Sequence, residues 1–516
     1  MKLAIYTVLF LMAGFTASAA KTDPGAEFFD SAELRTFKIT LGKEQYAALS
    51  DNNRNRQYVS ATVAVGGVTY SNVAVRLKGI GSFRPLHEKP SLAVKFDEYV
   101  EDQKFFGLSK IMLNNSSQDP TYLAELVSMS MFRDAGLPAP RVTHAFVELN
   151  GRKLGTYVAI EAVNKDFLRR TFKNTSGTMY EAYLQDIDQS LDQDNGVNIK
   201  QRDRKALVEA CNISDPAERW LSLQRVLNVD QFIDHTVLEM FVSHTDGYAI
   251  NRNNYRLYND PTSGRFWFIT LGADWGFQNP SISIHPPMNT LLVKAVLQTP
   301  QGRTQYRERF RTLYTNVFNV PVLTKRVNEA VARLKAANPN GARQYDAHGA
   351  ATRNAIAQRD RSIAEQLAAP EPEPLKFDAS GLARIPNWKT KIETGEPVLV
   401  RHSESNRVDL HIDGGGDGCI ASWRSRVVLN AGKYQFQARA RCTGIDPRAS
   451  SSGTGAGVRI SGGKRMNKLV GNKDWTVLQH DFEVPADGSE VEFVCELRAN
   501  KGKVWFDRES LKLKKL

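Results

Sequence analysis

Cysteine is scarce in this chain: four among 516 residues, Cys211, Cys419, Cys442 and Cys495, with no C-x-x-C pair. That is too few for a disulfide scaffold, and it lacks the paired thiolates of a structural zinc site. Histidine is sparse too, nine in all. None sits in H-E-x-x-H or in an H-x-H pair beside a carboxylate, so a zinc hydrolase would lack ligands. No G-x-S-x-G elbow is present, which removes the usual serine-hydrolase layout. Past the first twenty residues no run approaches the roughly 18–20 apolar residues of a membrane-spanning helix. The formal charge of +12 is spread along the chain rather than packed into one Lys/Arg run. A nucleic-acid role therefore has no motif behind it. The basic surface reads as solubility, or as a preference for anionic polymers, nucleotides or phosphorylated partners.

The N-terminus has the build of a secretory signal peptide over residues 1–19. Lys2 supplies the positive region, Leu3 to Phe15 the apolar region, and Ala17-Ser18-Ala19 the small-residue cleavage site. The mature protein is expected to be soluble and extracytoplasmic, secreted or periplasmic, with no transmembrane segment after cleavage. Export permits disulfides. One bridge is expected among Cys419, Cys442 and Cys495, with Cys211 free and buried.

Ala368 to Leu375, AAPEPEPL, alternates proline and glutamate and reads as a stiff linker. It divides an expected domain at residues 30–367 from a second at 376–516. In the first, RTFKITLGKEQYAALS and YVSATVAVGGVTYSNVAVRLKG read as strands around glycine turns. PTYLAELVSMSMFRDAGLP reads as a helix with Asp119 as its cap, Pro120 at its first position, and Gly136 and Pro138 at its end. Asn150-Gly151 supplies the residues of a tight hairpin turn. A second helix, around LNVDQFIDHTVLEMFVSHTDGY, is expected to deliver Asp246 at its C-terminal end. Strands first and helices later predict an α+β domain. Beyond the linker, short alternating runs from VDLHI to KVWFDRESLKLKKL predict an all-β sandwich.

The chemistry-bearing stretch is His244 to Phe277, HTDGYAINRNNYRLYNDPTSGRFWFITLGADWGF. Asp246 is followed five residues later by Asn251, then by Asn253 and Asn254, and Asp274 stands beyond a hairpin-like segment. This order resembles a protein-kinase catalytic centre, where one aspartate orients the attacking hydroxyl while an asparagine and a second aspartate hold Mg²⁺. Oxygen donors suit Mg²⁺, which is hard, octahedral and keeps sites for phosphate and water. Taken alone, D-x4-N is a weak pattern, since a polar loop of Asn and Asp bonding its own backbone has the same composition.

The surrounding blocks add weight. VRLKGIGSFRPLHEKPSLAVKF, FFGLSKIMLNNSSQDPTYLAE, MFRDAGLPAPRVTHAFVELNGRKLGTYVAIEAVNKDFL, GTMYEAY and QYRERFRTLYTNVF follow in an order and spacing that resemble the CotH family of atypical kinases, over about Arg35 to Leu367. The resemblance implies a divergent bilobal kinase-like fold, ATP and Mg²⁺ (or Mn²⁺) as cofactors, and an extracytoplasmic protein substrate. It implies Asp246 as the catalytic aspartate, with Asn251 and Asp274 on the metal. Lys95 would be the phosphate-binding cation and Glu125 its helix partner. Gly79 and Gly81 would let backbone N–H groups approach a phosphate, beside Lys78 and Arg84. Glu161 falls near the base-binding position. The family's pattern has two aspartates before the aromatic, D-x-D, where this chain has Gly272 and keeps Asp274. That departure admits an inactive coat or wall scaffold as the alternative. A glycosidase would need two facing carboxylates, which spacing along the chain does not decide.

The C-terminal run from AGKYQFQARA to GKVWFDRESLKL looks like the jelly-roll sandwiches of carbohydrate-binding modules. The likeness implies a surface polysaccharide as a partner. Trp423, Trp475 and Trp505 are the candidate sugar-stacking rings, with core packing as the competing role.

Overall fold

A sheet closes on itself when its first and last strands find each other, and the N-terminal strands do this. In the computed structural model, which describes residues 23–50, 57–197, 200–370, 373–404, 407–416, 418–447, 454–484 and 489–516, the chain divides into two compact units. The expected signal peptide lies outside the described residues. One unit comprises the described residues up to Asn115 with Thr143–Phe172, and the other comprises Ser116–Val142 with Lys173–Leu516.

The first unit carries α1 (Ala26–Phe29), β1 (Arg35–Thr40), α2 (Lys43–Ser50), β2 (Val59–Val65), β3 (Val68–Lys78), β4 (Ser91–Lys95) and β5 (Lys110–Asn114). The stretch KEQYAALS, expected as strand, is corrected to the helix α2, its residues being mostly strong helix formers. The chain then leaves for α3 (Ala124–Asp134) of the second unit and returns as β6 (Val142–Leu149), β7 (Arg152–Glu161) and α4 (Lys165–Thr171). The strands form a closed barrel in the order β1-β2-β3-β4-β5-β7-β6, sealed by parallel pairing of β1 with β6. Alternation decides what fills it. Val73, Val75 and Leu77 of β3 meet Leu92 and Val94 of β4 and Ile111 and Leu113 of β5 in one buried cluster. Each such side chain contributes about 1.5–3 kcal/mol on burial. The opposite parity sends Arg76, Lys78 and Lys95 to the outer face. Asn150 and Gly151 both take positive φ, 47° and 80°, the tight turn expected between β6 and β7.

In the second unit α3 starts at Ala124, later than its sequence suggests. Asp119 is not the residue flanking the helix, yet its carboxylate still accepts from Ala124 N at 2.9 Å and Thr121 N at 2.9 Å. The intervening Tyr122 sits at φ 66°, so residues 120–123 turn before the helix can propagate. There follow β8 (Met179–Glu181), β9 (Asp192–Asn195), α5 (Arg202–Cys211), α6 (Pro216–Val226), α7 (Val229–Phe241), α8 (Tyr248–Asn251), β10 (Tyr255–Asp260) and β11 (Arg265–Thr270). After a single 3-10 turn at Ala273–Trp275 come α9 (Leu291–Leu297), α10 (Pro300–Asn316), α11 (Val320–Ala337) and α12 (Ala342–Ala368). β8 to β11 form a small sheet in the order β11-β10-β8-β9. Among the described residues no helix is long and apolar enough to cross a membrane.

The remaining strands are β12 (Leu382–Arg384), β13 (Lys389–Thr394), β14 (Val398–Glu404), β15 (Arg407–Asp413), β16 (Cys419–Leu429), β17 (Gly432–Pro447), β18 (Gly455–Ile460), β19 (Gly471–Val484), β20 (Ser489–Asp507) and β21 (Lys512–Lys515). They pack as an antiparallel sandwich. The long β20 joins its two sheets, pairing β16 and β18 with its first half and β15 and β17 with its second. The core between them runs from Ile385 to Leu513. The fold is thus α+β with an all-β sandwich at the C-terminal end. Two residues of the Pro/Glu segment, 371 and 372, lie outside the described residues. Its end is tied down where Leu375 N donates to Val428 O at 2.8 Å.

Two expectations about the sandwich are corrected. No disulfide forms: all four cysteines are free and buried. Cys419 lies opposite Ala499 and Cys442 opposite Val504, while Cys495 is itself on β20. These positions are four and nine residues from Cys495, about 13 and 30 Å at strand rise, well beyond the roughly 7 Å a disulfide bridges. Nor are Trp423 and Trp505 open sugar platforms. Trp423 is in the core, 4% exposed, with Nε1 donating to His411 O at 3.2 Å. Trp505 is covered on its faces, stacked on His411 at 4.6 Å with the Arg441 guanidinium 4.8 Å from its centroid. Arg441 also lies 5.3 Å from the Trp475 ring.

Candidate active site

Helix α7 ends at Phe241, and the next five residues bring Asp246 to the site. Three carboxamides converge on its carboxylate. Asn251 Nδ2 donates to Oδ1 at 2.6 Å, while Asn253 Nδ2 and Asn254 Nδ2 donate to Oδ2 at 3.1 and 2.8 Å. A carboxylate has about four acceptor positions. Three are used, and one on Oδ1 remains to receive a proton from an incoming group. The spacing D-x4-N-x-N-N is therefore no polar loop bonding only its own backbone. It is a carboxylate oriented by side chains from α8 and from the start of β10.

The loop is held from beneath. His244 Nε2 donates to Leu271 O at 3.0 Å, and Leu271 N donates to Asn254 O at 2.9 Å, so the Asp246 loop and the end of β11 are stitched together. Burial pushes the His244 imidazole down to about 4, which keeps it neutral with one N–H to give. The wholly buried Glu239 of α7 accepts from Tyr248 N and Ala249 N, both at 2.8 Å, gripping the backbone just past Asp246. Burial pushes this carboxyl up to about 8, against the pull of those two N–H groups. His235 Nε2 lies 3.9 Å away, and burial lowers that imidazole to about 3. Arg359 of α12, also buried, donates to the carbonyls of Met240, Phe241, Pro280 and Ile282. It thereby ties the end of α7 to the segment after Asp274. Ser243, Arg252, Asn254 and Phe277 adopt positive φ of 55°, 56°, 52° and 63°, a concentration of local strain of the kind functional loops hold.

Asp274 lies in the turn after β11. The turn packs close to α3, since a Cβ on Gly276 would come within 2.4 Å of Ser128 Oγ. Glu125 is buried in the first turn of that same helix. Among the described residues no group of three His, Cys, Asp or Glu is clustered for a metal. The donors here are of another kind. Asn251 gives its nitrogen to Asp246, which leaves its carboxamide oxygen as the remaining donor atom, and Asp274 is a carboxylate in the turn after β11. One carboxylate with one carboxamide oxygen fits a Mg²⁺ that brings phosphate and water as its other ligands.

The nucleotide-side candidates lie in the barrel unit. Lys78 donates to Asn114 Oδ1. Gly79 needs its φ of 90°, and a Cβ there would meet Ser82 Oγ at 2.5 Å; Gly81 follows in the same turn. Asn115 Nδ2 braces this turn through Ser82 O at 3.0 Å and Lys89 O at 2.9 Å. Arg84 donates to Phe83 O at 2.7 Å. Lys95 has Glu98, three residues on, as its ion partner. Glu161 is held by Arg170, at 3.1 and 2.8 Å.

Sequence reasoning passed over Lys89, His244 and Glu239. Lys89 Nζ lies 5.1 Å over the Tyr157 ring, and burial lowers its ammonium to about 8. His244 had a readable signal, two residues before Asp246 as in the kinase H-x-D order. Glu239 had none.

The profile of the CotH kinase protein family matches residues 75–365. The chain belongs to that family. The inner spore coat protein H of Bacillus subtilis (strain 168) is 24% identical over 262 residues, covering 46% of this chain and 71% of that protein. The Helicobacter pylori proinflammatory kinase CtkA aligns over 54% of this chain and 95% of its own, at 10% identity and a TM-score of 0.26. A family 35 carbohydrate binding module from Clostridium thermocellum aligns over 27% of this chain and 97% of its own, at 12% identity and a TM-score of 0.16. The kinase-like character of this CotH-family chain thus stands on the family match, which takes in the whole Asp246 centre.

Proposed function

We propose that this CotH-family chain is an extracytoplasmic atypical protein kinase that transfers the γ-phosphoryl group of ATP to a Ser or Thr hydroxyl. The observation that carries the reading is the Asp246 carboxylate, held by three carboxamides with one acceptor position left over. Asp246 orients the attacking hydroxyl and takes its proton as the bond to phosphorus forms. Asn251 and Asp274 are the residues that would hold Mg²⁺. That ion, when bound, neutralises charge on the phosphates. Glu239, His244 and Arg359 keep the two acidic loops in register, so that orientation is set before the substrate arrives. Lys78, Lys89 and Lys95 are the cations available to phosphates on the barrel side, and Gly79 and Gly81 give backbone access. The sandwich serves as the module that holds the enzyme to a surface glycan. A coat or surface location follows the name of the Bacillus relative and the signal-like N-terminus.

Gly272 favours a second reading, a scaffold that kept the fold and lost turnover, because it removes one acid from the metal side. Transfer of label from γ-³²P-ATP by the purified mature chain, to itself or to a basic test protein, decides between them. Labelled protein supports the kinase; ATP–Mg²⁺ binding without transfer supports the scaffold.

A further inference from the structure

A cleft of ≈ 800 Å³ in the sandwich is lined mostly by cations, Lys389, Lys391, Arg401, Arg424 and Arg426, with Glu492 among them. The charges do not cancel. Arg424 spans Glu492 at 2.8 Å and Glu393 at 2.7 Å. Arg426 takes Glu492 at 2.8 Å and Glu490 at 3.4 Å, and Lys391 stands 3.6 Å from Glu393. Three carboxylates are thus shared among Arg424, Arg426 and Lys391, and Glu393 also lies 3.9 Å from Arg498. Lys389 and Arg401 have no carboxylate partner among the described residues. Moreover, Lys389 of β13 lies directly opposite Arg424 of β16, and like charges facing across strands destabilise a sheet. Arg401 is pre-set: it donates to Trp388 O at 3.0 Å and lies 6.0 Å from the Trp423 ring centroid. A surplus of fixed positive charge in a cleft is a binding arrangement for an anion.

We infer that this cleft binds a carboxylated polysaccharide, a chain of sugars bearing uronic acids. The inference rests on reading the sandwich as a glycan-binding module and names its ligand class. Planar carboxylates match the guanidinium fork of Arg401 in a way that point charges do not. Asn387 and Thr390 beside the cations offer neutral hydrogen bonds to hydroxyls. Glu492, in the lining of the cleft, is an acceptor for hydroxyls. The volume is within the range of ligand sites and large enough for more than one sugar ring. Trp388 and Trp423 beside this cleft are buried, so ionic and hydroxyl contacts carry recognition in place of ring stacking.

The test is affinity electrophoresis of the full chain through gels carrying polygalacturonate, its methyl ester, or polyphosphate. Polygalacturonate is expected to retard the wild type, and the uncharged ester to do so at least tenfold less. Lys389→Gln and Arg401→Gln should each weaken binding by about tenfold, the effect of one charge-assisted contact. Lys389 is exposed, so its variant should melt as the wild type does and decides the matter even if Arg401→Gln unfolds. Equal binding of the ester would overturn the acidic specificity while leaving a glycan-binding module. Binding to polyphosphate as tight as to polygalacturonate, or a Lys389→Gln variant that binds like wild type, would overturn the site. No retardation by either polysaccharide would sink the module reading as well.

Discussion

Gly272 and Asn254 are in contact: a Cβ built on Gly272 would lie 2.6 Å from Asn254 Oδ1, and Gly272 holds φ at 52°. Asn254 in turn donates to Asp246 Oδ2 at 2.8 Å. The residue that looks like a lost aspartate therefore occupies a place where any side chain displaces a carboxamide that orients Asp246.

Gly272→Asp is accordingly expected to harm the protein rather than rebuild a metal site. Left-handed backbone and a displaced Asn254 together should cost on the order of 1–3 kcal/mol, visible as a lower midpoint in urea. Gly272→Ala should lose nearly as much, because the Cβ is the offending atom. An aspartate variant as stable as wild type, with tighter Mg²⁺ or Mn²⁺ binding, would refute this.

Glu239 makes a pH-dependent contribution. Its carboxyl, ordinary in the unfolded chain, is pushed up to about 8 in the fold, so the folded state binds the extra proton between about 4.5 and 8. Stability from this group is full below that window and is lost as pH rises through about 8. His235 and His244 act oppositely: lowered to about 3 and 4, they add stability as pH rises toward about 6.5. Between pH 6.5 and 8 the Glu239 slope is left without theirs. Glu239→Gln should flatten stability over that interval. It should also cost roughly 1–3 kcal/mol, since an amide nitrogen would face a backbone N–H. Denaturant melts at pH 6.5 and pH 8 compare the two proteins.

Arg359 serves four carbonyls, so Arg359→Ala strands all four in a buried site. A loss of ~3 kcal/mol or more is expected, and Arg359→Lys should recover only part of it, because an ammonium cannot reach four acceptors in a planar fan. Thermal melts and expression yield report it. A neutral Arg359→Ala would remove this residue from the account.

Much of this was legible in the sequence where one residue type has one physical use. Asn150-Gly151 meant a tight turn because both positions need positive φ. Alternation in VTYSNVAVRLK meant a strand with one face buried. Asp246 and Asn251 could be paired because their spacing keeps them within reach, and Asn251 does donate to Asp246 at 2.6 Å. What could not be read depended on distant contacts. Glu239 is one more acid on a helix until the fold brings it to the amides of Tyr248 and Ala249. The cysteines shared a domain and an exporting context, but their registers on β20 keep them apart. The tryptophans were candidates by resemblance to sugar-binding modules, and only the burial of Trp423 and the stacking of His411 and Arg441 on Trp505 show what those two rings do.

The central claim is that Asp246 is the group acting on the attacking hydroxyl. Phosphoryl transfer and nucleotide-dependent melting should be measured side by side on wild type, Asp246→Asn and Asp274→Ala. ATP with Mg²⁺ should raise the wild-type melting temperature, because a ligand of the folded state stabilises it by mass action. Asp274→Ala should abolish that shift. Asp246→Asn should keep it while transfer falls by about a hundredfold or more, as for loss of a positioned base. Transfer undiminished in Asp246→Asn, or no nucleotide-dependent shift in the wild type with either Mg²⁺ or Mn²⁺, would contradict the account.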